Sequence, residues 1–164
     1  MSDAKLVREF TKESGTDVPD TPQLMNLEEV HFIIKMILDE MMELYATVAE
    51  PQEAKLAMIK MINDSKNIPK ESCCDDCDDK FELIGLQADA LVDSYYYSLN
   101  CAAKKGVNLS KIFQLVHEAN MNKRDPNTGK FLRREDGKII KPKNWVEPDI
   151  TAEIERQTAK GSFT

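Results

Sequence analysis

The chain has 164 residues, of which 41% are hydrophobic and 31% charged, and its formal net charge is −7. This length and composition predict one globular domain with a substantial core. No apolar run reaches the roughly 18–20 residues of a membrane span, and the N-terminus lacks the apolar core of a signal peptide. We therefore expect a cytoplasmic protein without a membrane partner.

The charge is unevenly distributed along the chain. Residues 104–143 carry eleven lysines and arginines against four acidic residues, so this segment is at +7 and the remainder at −14. Two explanations are equally good on charge alone: an anionic ligand held between metal ions and lysines, or self-complementary surface charge. The acidity of the remainder argues against nucleic-acid binding by the basic segment, because it repels phosphate backbones.

The first half of the chain predicts three helices. Residues 1–12 can form a short helix, and 14–23 is a loop because of its glycine, proline and aspartate content. Asn26 is a candidate N-cap for a long helix over about 27–49. Pro51 can open a further helix that extends to residue 64, since proline is favoured at the first helical position.

The second half predicts two more helices and a basic tail. Residues 65–79 read as a loop, followed by a long helix over about 80–105 that stops at Gly106. A short helix starts at Asn108 or Ser110 and continues to about 122. The stretch "FLRREDGKII" predicts a small hairpin or an ordered loop, and the last dozen residues are expected to fray.

Three of the four cysteines, Cys73, Cys74 and Cys77, lie in the acidic stretch "ESCCDDCDDK". A structural zinc site normally needs four ligands with characteristic spacing, and here no second CxxC or HxxxH follows. The pattern favours a reduced, acidic surface loop over a zinc site.

The stretch "MILDEMMELYATV" places carboxylates within a largely apolar helix. At 100° per residue, Glu40 lies at the centre of an apolar side, Glu43 at its border and Asp39 toward the polar side. The apolar side comprises Ile33, Met36, Ile37 and Leu44. An ionised glutamate in such a position must be paired, neutralised or bound to a metal ion.

The helix over 80–105 offers matching groups. Asp89 and Asp93 are one turn apart and are the only charged residues within 83–103. They form either a solvated acidic side or, with the helix that carries Glu40, a cluster of four carboxylates. Such a cluster requires cations, and hard oxygen ligands suit Mg²⁺ or Mn²⁺. His31 and His117 do not supply the Glu-x-x-His motif of di-iron bundles.

The motifs "DEMME" and "DALVD" resemble the EExxE and ExxD motifs of the MazG-like superfamily of all-α nucleoside triphosphate pyrophosphohydrolases. The superfamily includes phosphoribosyl-ATP pyrophosphohydrolase and the helical dUTPases and dCTPases. Asp39 replaces the first glutamate, and Asp89 stands one position earlier than the family's second-motif glutamate. The tail, with "VHEANMNK" and "DGKIIKPKNWVEPDI", is similar to phage and bacterial members, and the likeness extends over about residues 4–150.

The resemblance implies an all-α helical bundle that is completed by oligomerisation, as a homodimer or a dimer of dimers, with a C-terminal basic loop or small hairpin. It implies one domain over 1–164, with a core at about 4–122 and a basic tail at 123–150. It also implies Mg²⁺-dependent cleavage of a nucleoside triphosphate between its α- and β-phosphates, with Mn²⁺ as a possible substitute. The base, the sugar and the metabolic role stay open.

The implied site residues fall into three groups. The first motif supplies the catalytic set, in which Asp39 or Glu43 accepts a proton from water. Metal ligation involves Glu40, Glu43 and Asp93, with Asp39 or Asp89 completing the shell. The substrate-binding candidates are Tyr96 and Asn120 for the sugar or base, and Lys123, Lys138 and Lys141 for the phosphates. Two competing readings are a non-catalytic helical nucleotide-binding module and a zinc-stabilised interaction protein built around Cys73–Cys77.

Overall fold

The structure, a computed structural model, describes residues 2–65, 79–135 and 137–163. The regular elements of these residues are six α-helices, which confirms the predicted all-α class. The predicted cysteine loop, with Cys73, Cys74 and Cys77, lies outside the described residues. None of the helices described is long and apolar enough to cross a membrane. The helices are α1 (Asp3–Glu13), α2 (Leu27–Ala46), α3 (Pro51–Asp64), α4 (Lys80–Lys104), α5 (Leu109–Met121) and α6 (Ile150–Lys160).

Local signals set the predicted helix ends. The Asn26 side chain accepts a hydrogen bond from the Glu29 backbone N–H at 3.0 Å, and the Glu29 carboxylate accepts one from the Asn26 N–H at 2.8 Å. This capping box satisfies two backbone donors that α2 would otherwise leave unpaired. α2 ends at Ala46, earlier than predicted, where the Thr47 hydroxyl donates to the Leu44 carbonyl. Pro51 occupies the first turn of α3, as expected.

The chain folds as two compact units, which we call the central unit (Pro22–Leu91) and the terminal unit (Met1–Thr21 with Val92–Thr164). In the central unit α2 packs against α3, where Ala54 is fully buried. The Gln87 side-chain amide both accepts from the Met25 N–H and donates to the Met25 carbonyl. These two bonds fix α4 to the segment that precedes α2. The prediction of one domain stays a prediction.

In the terminal unit α5 packs against both α1 and α6. The basic tail that follows α5 is ordered by two antiparallel bridges, Arg124 with Phe131 and Arg133 with Ile139. The Phe131 ring meets Phe10 of α1 edge to face, with the centroids 5.4 Å apart. The Arg133 guanidinium donates to the Ser14 carbonyl just after α1. The tail is therefore the small hairpin or ordered loop that the sequence predicts.

The prediction that the last dozen residues fray is wrong, because α6 forms there and docks on the start of α5. The Asp149 side chain caps α6 by accepting from the Ala152 N–H at 2.9 Å. Gln157 is only 4% exposed, and its amide accepts from the Asn108 N–H and donates to the Asn108 carbonyl. Because the buried Gln157 amide makes this contact, the hydrophobic pattern of the sequence does not predict that α6 docks here.

Glu153 is hydrogen-bonded to two other side chains of α6. Its carboxylate accepts two hydrogen bonds from the Arg156 guanidinium, both at 2.7 Å, and one from the Gln157 amide at 2.9 Å. These bonds, Arg156 first, stabilise the ionised form and lower the pKa of Glu153 to about 2.

We predict that Glu153→Gln destabilises the protein at neutral pH and that the difference shrinks as the pH falls below 4.5. A depressed folded pKa contributes stability above the ordinary value of 4.5, and this contribution is lost as the pH falls toward about 2. Urea unfolding followed by circular dichroism from about pH 7 to about pH 3 measures it. Glu155→Gln, at an exposed position of the same helix, is the control. A deficit of Glu153→Gln that stays constant over this range would contradict the prediction.

Candidate functional site

The three acidic residues predicted on α2 are all exposed. The Asp39 carboxylate forms an ion pair with Lys35 one turn earlier, with Nζ and Oδ2 2.6 Å apart. Glu40 and Glu43 have no hydrogen-bond or ion-pair partner among the residues that the structure describes. Asp39 is therefore partly committed, whereas Glu40 and Glu43 are free to meet a ligand.

Glu40 is exposed in the single chain, and its burial in a bundle completed by further copies stays a prediction. Ile33 and Ile37 beside it are half-buried, but Leu44, one turn further on, is 59% exposed. The physical reason is that α3 covers only part of the apolar surface of α2. Within one chain, Glu40 is consequently solvated and needs no metal ion to compensate a buried charge.

Asp89 and Asp93 lie one turn apart on the continuous helix α4, and both are exposed. Asp89 belongs to the central unit and Asp93 to the terminal unit. In the described part of the chain, no group of three or more His, Cys, Asp or Glu side chains is arranged to hold a metal ion. The donors are carboxylate oxygens, the chemistry that Mg²⁺ prefers, and their roles as ligands stay predictions.

Tyr96 on α4 is 68% exposed, so its ring is accessible to a ligand. Its neighbour Tyr95 is engaged differently, because its hydroxyl donates to the Asp3 carboxylate of α1 at 2.8 Å. This hydrogen bond to a carboxylate raises the pKa of the Tyr95 hydroxyl. A role for Tyr96 in contacts with the sugar or base stays a prediction.

Three of the predicted substrate-binding residues come together in the terminal unit. The Lys123 ammonium donates to the Asn120 side-chain oxygen at 2.7 Å, at the end of α5. The Lys123 and Lys141 ammonium groups lie 5.6 Å and 4.0 Å, respectively, from the centroid of the Trp145 ring. The sequence separates Lys123 from Lys141 by 18 positions, so the fold of the tail is what brings them to one aromatic ring.

Lys123 and Lys141 also line a cavity of about 390 Å³. Its walls combine apolar side chains with amides and cations, a composition suited to an anionic organic ligand. Lys138 does not line this cavity; its carbonyl accepts from the Arg134 N–H in the tight turn at Gly137. The lining residues are Lys123, Asp125, Pro126, Asn127, Leu132, Ile140, Lys141, Pro142, Lys143 and Asn144.

The surroundings of Lys123 weaken its hold on a proton. Partial burial lowers the pKa of the Lys123 ammonium, and the positive charge of Lys141 lowers it further. The one acid of the cavity lining, Asp125, is occupied by the turn that it stabilises. Its Oδ1 accepts from the backbone N–H groups of Asn127 and Thr128 and from the Thr128 hydroxyl, which lowers the pKa of the Asp125 carboxyl. The cavity is cationic because its lining combines three lysines, Lys123, Lys141 and Lys143, with one aspartate.

Trp145 is the residue of this cluster that the sequence analysis did not assign. Its indole N–H donates to the carbonyl of the buried Ala119 in α5 at 2.7 Å. It is the only tryptophan of the chain and stands in a polar, lysine-rich segment. A lone tryptophan among polar residues could have indicated a structural role for Trp145, because buried tryptophan normally finds a hydrogen-bond partner for its N–H.

The sequence matches no family model and no curated protein. Among solved structures, the chain is similar to the crystal structure of a "putative NTP pyrophosphohydrolase" from Exiguobacterium sp. 255-15. The TM-score is 0.74, the likeness covers 98% of each chain, and the sequence identity is 22%. Similarity at this identity shows that the two chains share their all-α fold.

Proposed function

We propose that the protein is a Mg²⁺-dependent nucleoside triphosphate pyrophosphohydrolase, which converts an NTP or dNTP and water into the monophosphate and pyrophosphate. The observation that carries the proposal is the cationic cavity lined by Lys123 and Lys141, beside which Asn120 accepts a hydrogen bond from Lys123. These residues are candidates for substrate contacts before any coordinates are considered. The fold shared with a protein named for NTP pyrophosphohydrolysis supports the same reaction.

The proposed roles of the acidic residues follow from their chemistry. Glu40, Glu43 and Asp93 would hold Mg²⁺, with Asp39 or Asp89 completing the shell. Mg²⁺ held there would supply positive charge to the phosphate groups and would activate the attacking water. A carboxylate of α2 accepts the proton of that water. Glu43 suits this role better than Asp39, because Lys35 already engages the Asp39 carboxylate.

The proposed roles of the substrate-binding residues follow from the cavity. The ammonium groups of Lys123 and Lys141, with Lys138, offset the negative charge of the departing pyrophosphate. Asn120 accepts from Lys123 through its side-chain oxygen, which leaves its NH₂ group to donate to the substrate. Tyr96 offers an exposed ring against the sugar or base. These contacts do not select a particular base.

We propose further that the active form is a homodimer or homotetramer. The helices of the central unit leave large apolar side chains in contact with solvent, among them Leu27, Phe32, Ile34, Leu56 and Ile62, each at least 50% exposed. Apolar surface of this kind marks an interface. A second copy that covers α2 would also remove its carboxylates from water, and bound cations would then compensate their charge.

Metal dependence and products give the first test. We expect turnover of a nucleoside triphosphate to stop with excess chelator and to return with Mg²⁺ or Mn²⁺, whereas Ca²⁺ substitutes poorly, because it prefers longer bonds and more ligands. A panel of (d)NTPs with chromatographic separation of products measures it. Formation of the diphosphate and orthophosphate would contradict α–β cleavage. Nucleotide binding without any product would favour the non-catalytic module.

Glu40→Gln tests the role of the carboxylates. We expect activity to fall by more than about a hundredfold, since losing even an outer partner of a metal ligand commonly costs ten- to a hundredfold. Mg²⁺ should also stabilise this variant against heat less than it stabilises wild type. Glu28→Gln, the same change at an exposed position of α2, is the control. Wild-type turnover by Glu40→Gln would end the proposed mechanism.

Static light scattering tests the assembly. We expect a mass of about two or four times the 18.7 kDa of the chain at micromolar concentration, because the exposed apolar side chains of α2 and α3 favour association. A dilution series with and without Mg²⁺ measures how strongly the copies associate. A monodisperse monomer under both conditions would contradict the proposal.

A further inference from the structure

Trp145 is anchored to α5 by one hydrogen bond that the helix itself leaves available. The last four carbonyl groups of a helix lack intrahelical partners, and Ala119 lies in the last turn of α5. The Lys123 N–H, four residues on, bonds to the Asn120 carbonyl instead. The Ala119 carbonyl thus accepts from the indole N–H at 2.7 Å, which fixes where the ring lies.

The fixed ring lies against two positive charges. Two ammonium groups repel one another, and here the face of an indole ring attracts both, with the Lys141 nitrogen 4.0 Å from the ring centroid. The Asn120 side-chain oxygen holds Lys123. Lys141 faces Glu147 at 3.8 Å, in a pair whose side chains are both more than half exposed, so that pair is weak. The ring is consequently the shared partner of the two lysines.

The two lysines border the same cavity, and a third, Lys143, contributes to its lining. One ionised Asp125 cannot neutralise three lysines, and its carboxylate is hydrogen-bonded within the turn of Asn127 and Thr128. An anion with several oxygen atoms that enters the cavity can accept from both ammonium groups at once. Its gain in affinity depends on the lysines being held close together beforehand.

We propose that Trp145 is a positioning residue that holds Lys123 and Lys141 together as one binding unit for a pyrophosphate group. Trp145 acts through the two lysines rather than by touching the reacting atoms. The proposal rests on the proposed function in one respect, namely that the bound group is the pyrophosphate part of the substrate. Binding of the anion itself does not depend on hydrolysis.

The experiment is a titration of the full-length protein with inorganic pyrophosphate in the absence of metal ions. Because Trp145 is the only tryptophan and lies against the two cavity lysines, its emission, excited where tyrosine does not absorb, reports on their surroundings. We expect a saturable fluorescence change in wild type, which Lys123→Met and Lys141→Met abolish. Lys130→Met, at an exposed tail position outside the cavity lining, should retain it.

Two variants separate the ring from its anchor, with the affinity measured by calorimetry. Trp145→Phe keeps an aromatic face and loses the N–H, whereas Trp145→Leu keeps apolar bulk and loses both. We expect pyrophosphate to bind Trp145→Leu about tenfold more weakly and Trp145→Phe no more than about threefold more weakly, following the range of cation–π energies. Both variants keep the lysines, so the dependence of affinity on salt concentration should match that of wild type.

The outcomes distinguish the two proposals. Equal losses of affinity in Trp145→Phe and Trp145→Leu would mean that the N–H, which both variants lack, matters and the aromatic face does not, and would overturn the positioning role of the ring. Wild-type affinity in Trp145→Leu, or a wild-type response in Lys123→Met, would overturn it too. Pyrophosphate binding with the expected order of variants, in a protein that hydrolyses no triphosphate, would support the positioning role and contradict the proposed function.

Discussion

Charges of the same sign repel unless an opposite charge, a polarisable ring or water compensates them, and this constraint governs both parts of the candidate site. The carboxylates of α2 and α4 are exposed in the single chain, so water solvates them and Lys35 pairs with one. Lys123 is half-buried beside Lys141, so water contributes less, and the Trp145 ring and the Asn120 side chain compensate instead. The acidic group thus suits cations and the basic group an anion.

The small extent of buried apolar surface explains why assembly enters the argument. Among the described residues, Ala54 and Ala119 are the hydrophobic side chains less than a tenth exposed. Ala54 lies on α3 and Ala119 on α5. Small side chains let helices approach closely but bury little area, so they stabilise the folded state only modestly. The larger side chains of α2 and α3 can contribute once another surface covers them.

Much of the fold could be predicted because its boundaries depend on local chemistry. Asn26 and Glu29 cap α2 within four residues of sequence, Pro51 opens α3, and Gly106 ends α4 with φ 73°, a conformation that glycine adopts without strain. α6 was missed because it docks through Gln157. A glutamine in a polar segment reads as exposed, and only the position of Asn108 in three dimensions makes it a buried partner.

The candidate site could be predicted only in part, because its residues are brought together by the fold. Lys123 and Lys141 could be nominated from the tail motifs, but their common position depends on the path of the tail between them. No local pattern predicts that Trp145 would hydrogen-bond to α5 and lie against both lysines. The burial of Glu40 could not be decided from the sequence, because helical periodicity locates an apolar side but does not say how much of it one chain covers.

The lowered pKa of Lys123 explains why an anion in the cavity would be favourable. Since its folded pKa lies below the ordinary value of 10.5, keeping the ammonium charged beside Lys141 costs stability at neutral pH. The folded state is stabilised as the pH rises through that depressed pKa, because the unfolded chain binds more protons there. A phosphate oxygen near Lys123 would restore a favourable charged state. The hydrogen bond from the Trp145 N–H to the Ala119 carbonyl holds the tail against α5. Trp145 therefore affects stability through its N–H and anion affinity through its ring. Trp145→Phe, which keeps an aromatic ring but removes the N–H, separates the two effects.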